Sequence, residues 1–212
     1  MNTKIKICGL KTIKEIETAY RSGSFWYGLI FYKKSHRDIS IEKARYLVLN
    51  SPPKIKPVAV VVDEKIEKID KISRIGIKTI QLHGRENVEF CKYLKDKYNF
   101  KIIKAINISD QDDIMLAKKY IRCADWILYD YKGKSSPGGS GRSFDWNILK
   151  NKELKFKWIL SGGLNCSNVK SAIKTTNAQV VDVSSGVETK NGIKSKELIK
   201  NFCNEVKKHN EF

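Results

Sequence analysis

"KIIKAINISDQDDIMLAKKY", residues 101–120, carries the reading that decides the fold. It opens with a β-branched, apolar run at 101–106, the composition of a buried strand. "SDQDD" at 109–113 then sets a capping serine before acidic residues, the usual start of a helix, because the first turn has free N–H groups and a partial positive charge. A helix is expected over 110–119. Strand, cap and helix make one βα unit, and what matters next is how often the unit recurs.

It recurs along the whole chain. Strands are expected at "IKIC" (5–8), "FWYGLIF" (25–31), "PVAVVV" (57–62), "TIQL" (79–82), "KIIKAI" (101–106), "WILYD" (126–130), "KWILSG" (157–162) and "VVDVSS" (180–185). Between and after them, helical patterns lie near 12–22, 40–49, 64–74, 86–97, 110–119, 145–150, 165–174 and 195–208, the sixth short for a full helix. "NCSN" at 165–168 supplies polar caps for the seventh. Such alternation is the mark of a parallel sheet. Eight units in about 200 residues favour a closed barrel over an open sheet, because closure leaves no exposed edge strand. The expected fold is α/β, a single-domain (β/α)8 TIM barrel over 1–212, with no linker or break in composition. "KGKSSPGGSGRS" (132–143) exceeds an ordinary βα turn and reads as a mobile loop.

Composition narrows the setting. The 212 residues are 41% apolar, enough to bury a core. Five cysteines, odd in number and without a C-x-x-C pair, fit neither a disulfide framework nor a zinc site and read as free thiols in a reducing compartment. "MNTKIKICGL" lacks the apolar run of a signal peptide, and no stretch approaches the roughly 18 apolar residues of a membrane span. A cytoplasmic protein with no membrane partner is expected, a monomer or a homodimer. The net charge of +18 raises a rival reading, a polyanion-binding protein. Against it, Lys outnumbers Arg 34 to 7 and the lysines are spread without a basic block. No specific nucleic-acid partner is expected; the charge would steer a small anionic metabolite.

In a barrel of this kind the active site lies at the C-terminal ends of the strands. That places Cys8, Arg37, Gln81, His83, Asp130, Ser184 and Ser185 around one mouth. The pair "SGGLN" (161–165) and "SSG" (184–186), at the exits of strands 7 and 8, is where barrels commonly hold phosphate, since glycines let backbone N–H groups approach its oxygens. Gly162, Gly163, Ser184, Ser185 and Gly186 are the candidates, and the substrate should be a phosphate ester. Asp130 is either a turn aspartate or a carboxyl whose partial burial fits it to donate a proton. Cys8 is either a packed core thiol or, beside a cationic site, a base. Arg37 could clamp a carboxylate or belong to a solvated basic loop. His83 could titrate or merely end strand 4. Asp182 would face the barrel interior if Val181 and Val183 pack outward, and a buried acid needs a partner. Dispersed Cys and His give no metal-ligand spacing.

These motifs, "KICGL" (6–10), "SHRDIS" (35–40), "QLHG" (81–84), "YD" (129–130) followed by "PGGSGRSFDW" (137–146), "LSGGLN" (160–165) and "VDVSSGVE" (181–188), together resemble the phosphoribosylanthranilate isomerase family of tryptophan biosynthesis. The resemblance implies a (β/α)8 barrel and an Amadori rearrangement without metal or organic cofactor. It implies Cys8 as general base and Asp130 as general acid, Arg37 on the anthranilate carboxylate, and Asp182 near the sugar. Gln81 and His83 fall in its substrate-binding region, and Gly162, Gly163, Ser184, Ser185 and Gly186 in its phosphate cradle. The loop through Gly138, Gly139 and Gly141 would close over the substrate. Two departures stand out: "SHR" where the family usually reads S-P-R, and Asp63 where asparagine is common. The sister barrel indole-glycerol phosphate synthase needs a catalytic lysine, glutamates on several strand ends and usually an N-terminal extension that these motifs do not supply, and a metal-dependent epimerase would need strand-end histidines beyond His83.

Overall fold

A computed structural model describes residues 2–131, 145–150 and 154–211. Eight strands form a closed barrel in sequence order: β1 (Lys4–Cys8), β2 (Trp26–Ile30), β3 (Lys56–Val61), β4 (Thr79–Leu82), β5 (Lys101–Ile108), β6 (Trp126–Tyr131), β7 (Trp158–Leu160) and β8 (Val180–Val183). All neighbours are parallel, and β8 closes on β1 with Lys6 opposite Asp182. The helices on the outside are α1 (Ile13–Arg21), α2 (Ile41–Asn50), α3 (Ile66–Ser73), α4 (Val88–Tyr98), α5 (Gln111–Leu116), α6 (Val169–Thr176) and α7 (Lys196–Asn210). The segment expected as the sixth helix is a single 3-10 turn at Trp146–Leu149. None of the described helices is long and apolar enough to cross a membrane.

Strand residues separate by parity. Side chains two apart in a strand share a face. Val58, Val60, Ile103, Ala105, Leu128, Ile159 and Val180 fill the barrel interior, while Ile7, Leu29, Ala59, Ile80, Tyr129, Leu160, Val181 and Val183 pack outward under the helices. Followed toward the C-terminal ends, the inner file turns polar: Leu128 gives way to Asp130, and Val180 to Asp182 and then Ser184. This places Asp182 inward, with Val181 and Val183 outward as the sequence suggested. Below, the bottom of the barrel is plugged by Trp26 and Trp126, packed edge to face at 5.3 Å.

Two caps differ from expectation. Asp110, not Ser109, caps α5, its side chain accepting from Asp112 and Asp113 N–H; Ser109 instead donates to the Asp113 carboxylate. The carboxylate reaches both free amides, which leaves the serine outside the turn. Likewise α6 begins at Val169 without a side-chain cap, because Asn165 and Asn168 are used one turn earlier, where Asn168 Nδ2 donates to Gly163 O. Those asparagines shape the loop after β7, which belongs to the site. By contrast α1 has a full capping box between Thr12 and Glu15.

Candidate functional site

The C-terminal ends of the strands enclose a cleft of about 720 Å³, part of it open to solvent. Cys8, Arg37, Gln81, His83, Asp130, Asp182, Gly162, Gly163, Ser184 and Ser185 all line it. Gly186 does not: a Cβ there would collide with Leu164 O, so the glycine lets the loop after β8 lie against the loop after β7. Gly138, Gly139 and Gly141 lie outside the described residues. Among the described residues no cluster of His, Cys, Asp and Glu has the grouping to hold a metal.

On one side of the cleft stands the sulfur. Cys8 ends β1 and is 6% exposed. Its neighbour across the ladder is Gly28, where a Cβ would sit 2.6 Å from the sulfur, so only a glycine leaves the thiol its space. Two residues earlier on the same face, Lys6 is fully buried, its Nζ 2.7 Å from Asp182 Oδ2. Burial works against that ammonium, but Asp182 and then Cys8 outweigh it and the pKa of Lys6 is raised. The thiol itself is pushed up by burial; Lys6 opposes the rise, Asp182 adds to it and Lys194 opposes it. The cationic surroundings expected for a basic cysteine are therefore present, yet desolvation prevails and the resting group is the thiol.

On the opposite side stands the carboxyl. Asp130 ends the inner file of β6 and is 5% exposed. Its Oδ1 accepts from Tyr131 N–H at 2.9 Å, and its Oδ2 lies 3.2 Å from His83 Nε2. The imidazole is close enough for an ion pair but is not aligned for a hydrogen bond. Gln81 Nε2 lies 2.8 Å from His83 Nδ1 and, as an amide donor, leaves Nε2 of a neutral ring as the one that carries hydrogen toward Asp130. Gly162, at φ +89, passes so near that a Cβ would be 2.7 Å from Tyr131 N and 3.2 Å from Asp130 Oδ1. Two acceptors in the cleft, Gln81 Oε1 and Asp182 Oδ1, are buried without a partner among the described residues. A buried acceptor left unpaired costs about 1–3 kcal/mol, which a ligand with hydroxyl or N–H donors would recover.

The rim joins its loops through one glutamate. Arg37 gives a two-pronged contact to Glu188, Nε to Oε1 at 2.7 Å and Nη2 to Oε2 at 2.6 Å. Lys194 reaches the same carboxylate at 2.6 Å and also donates to Ser184 O and Oγ, while Ser184 Oγ donates to Cys8 O. Burial opposes the Glu188 charge, but Arg37 and Lys194 hold its pKa down at about 2. The turn "SHR" holds Arg37 without a proline: Arg37 N–H bonds Ser35 Oγ, and the side chain packs against Gly9, where a Cβ would be 2.6 Å from Arg37 Cδ. Asp63, the other departure, sits in the left-handed region at φ 47 and accepts from Arg85 N–H.

Sequence reasoning missed Lys6, Glu188 and Lys194. The first was accessible by parity, since a residue two before an inward Cys8 must also face inward. The other two sit on a small hairpin, β9 (Glu188–Lys190) with β10 (Ile193–Lys194). Its signal was Asn191-Gly192, with Gly192 at φ +78, a common hairpin turn.

Comparison with known proteins agrees along nearly the whole chain. The family described as N-(5'phosphoribosyl)anthranilate (PRA) isomerase matches residues 5–205. The N-(5'-phosphoribosyl)anthranilate isomerase of Zymomonas mobilis is 37% identical over 209 residues, covering 98% of this chain and 99% of the relative. The crystal structure of phosphoribosyl anthranilate isomerase from Thermotoga maritima superposes with a TM-score of 0.89 at 36% identity, over 97% of this chain and 99% of that one. A second structure of such an isomerase, in complex with reduced 1-(o-carboxyphenylamino)-1-deoxyribulose 5-phosphate, superposes with a TM-score of 0.86 at 35% identity, over the same shares.

Proposed function

The chain belongs to the N-(5'-phosphoribosyl)anthranilate isomerase family, and on that premise we propose how its cleft performs the reaction. N-(5-phosphoribosyl)anthranilate is converted to 1-(2-carboxyphenylamino)-1-deoxyribulose 5-phosphate, an internal redox exchange between C1 and C2 that needs only proton transfers. Asp130 gives a proton to the ribose ring oxygen as the C1–O bond breaks and the ring opens to an iminium. Cys8, as thiolate, takes the proton from C2, and the C–H electrons form the enolamine. Tautomerisation of the enolamine yields the ketoamine.

The observation that carries this reading is that Cys8 and Asp130, from strands that are not neighbours in the barrel, line one cleft beside the Gly162–Gly163 and Ser184–Ser185 loops. Those loops hold the phosphate, and the sugar lies between the two proton-handling groups. Gln81 Oε1 and Asp182 Oδ1 accept from its hydroxyls. Arg37 faces the anthranilate carboxylate with the part of its guanidinium that Glu188 leaves free. Because burial raises the Cys8 thiol, kcat/KM of the free enzyme climbs with pH through the ordinary thiol range.

The test is a steady-state fluorescence assay of anthranilate consumption. Cys8→Ala and Asp130→Asn should each lose about 10²–10⁴-fold in kcat, the usual contribution of a positioned acid or base. Full turnover by either variant would remove its residue from the mechanism.

A further inference from the structure

A buried lysine on the inner face of β1 is not accounted for by the roles assigned so far. Lys6 is 0% exposed. Lysine is almost never buried so completely without a partner, and here the partner is Asp182, 2.7 Å away on the neighbouring strand. Stability alone does not explain the pair, because replacing a buried ion pair with apolar residues of similar volume is often neutral or stabilising. Nor is the pair self-sufficient: Asp182 Oδ1 has no partner among the described residues.

What Lys6 does have is Cys8, two positions on and on the same face. The sulfur stands among apolar neighbours, Ile30 and Val60, and against the bare backbone of Gly28. A thiolate in such a place needs a fixed positive charge. The charged groups facing it come from several elements. Asp182 approaches from β8, Lys194 from β10 and Arg37 from the loop after β2, with Asp130 and His83 across the cleft. Arg37 and Lys194 stand on the rim and share the Glu188 carboxylate, whereas Lys6 lies beneath the sulfur on its own strand, two residues before it and wholly buried. Lys6 is the cation whose influence on the sulfur stands first after burial itself.

We propose that Lys6 is a positioning residue for the isomerisation: held in place by Asp182, its ammonium stabilises the negative charge on the Cys8 sulfur before it takes the C2 proton. In that step the C2–H bond breaks, an S–H bond forms and the electron pair enters the enolamine; Lys6 keeps its three protons throughout. The inference rests on Cys8 being the base.

The experiment follows alkylation of Cys8 by iodoacetamide against pH in the full chain, read on the Cys8 peptide by mass spectrometry. Wild type is compared with Lys6→Met and with Lys6→Met/Asp182→Asn. At neutral pH the rate should fall about tenfold in Lys6→Met, with the curve displaced to higher pH, since tenfold corresponds to one unit of thiol titration; the double variant should move the same way by less, because the Asp182 charge that opposes the thiolate is removed with Lys6. The ascending limb of kcat/KM should move the same way in Lys6→Met. The double variant leaves no unpaired buried carboxylate and decides the matter if the single variant does not fold. An unmoved alkylation curve in the double variant overturns the role of Lys6 while leaving the base assignment intact. Full turnover by Cys8→Ala would instead overturn the base assignment.

Discussion

The two sides of the cleft solve opposite problems with different neighbours. Cys8 is attended by two buried ammoniums, Lys6 and Lys194, whereas Asp130 is attended by an imidazole and, behind it, an amide. No lysine or arginine forms an ion pair with Asp130 among the described residues. Burial penalises whichever form of a group is charged. A thiol that becomes an anion in such a place needs cations close by, and on the reading proposed above the lysines stand beside the sulfur and not beside the carboxyl. Similar seclusion, 6% exposure for Cys8 and 5% for Asp130, thus comes with different company, ammoniums beside the sulfur and an imidazole beside the carboxyl.

This contrast can be broken on the sulfur side first. Gly28→Ala would place a methyl 2.6 Å from the Cys8 sulfur and force it off its line to the substrate. The expected loss is about 10²-fold in kcat, the scale of a 1 Å misplacement, measured by steady-state kinetics. A Gly28→Ala enzyme with unchanged kcat would mean that the thiol position is not critical.

The carboxyl side should be less sensitive to its partner. His83→Asn withdraws the group 3.2 Å from Asp130 Oδ2 but leaves the Tyr131 N–H bond to Oδ1 in place. A fall of about tenfold in kcat with little change in KM is expected, the worth of one polar contact. A loss as large as that of Asp130→Asn would make His83 a proton carrier in its own right and dissolve the asymmetry.

The smallest effect on turnover, though not on stability, belongs to the rim. Glu188 is held at about 2, below its ordinary value of 4.5, so it adds stability above that ordinary value, and the contribution drains away as pH falls toward about 2. Glu188→Gln should flatten this part of the acid unfolding curve and cost about 1.5–3 kcal/mol near neutrality, the worth of a hydrogen bond to a charged group. Chemical denaturation across that pH range checks both points.

How much of this was legible in the chain depends on the range of the interaction. Alternation in "VVDVSS" was enough to send Asp182 inward, and glycines beside serines marked the two loops after β7 and β8. Ser109 was mistaken for a cap because two adjacent residues can each reach a first-turn amide, and only the backbone path shows that Asp110 does. Arg37 read equally well as a free clamp or a solvated residue, since its carboxylate partner lies 151 positions away.

Strand parity, turn chemistry and the order of the motifs were determined by the sequence itself, because they depend on period-two geometry and on residues a few positions apart. The partners of the reactive groups were decided only by closure of the barrel. That closure sets Lys6 against Asp182, 176 residues distant, and lays the Glu188 hairpin over Arg37. The reason is physical: a side chain's facing is a local property of its strand, but the charge it meets in a dry interior is a property of whichever strand the ring brings beside it.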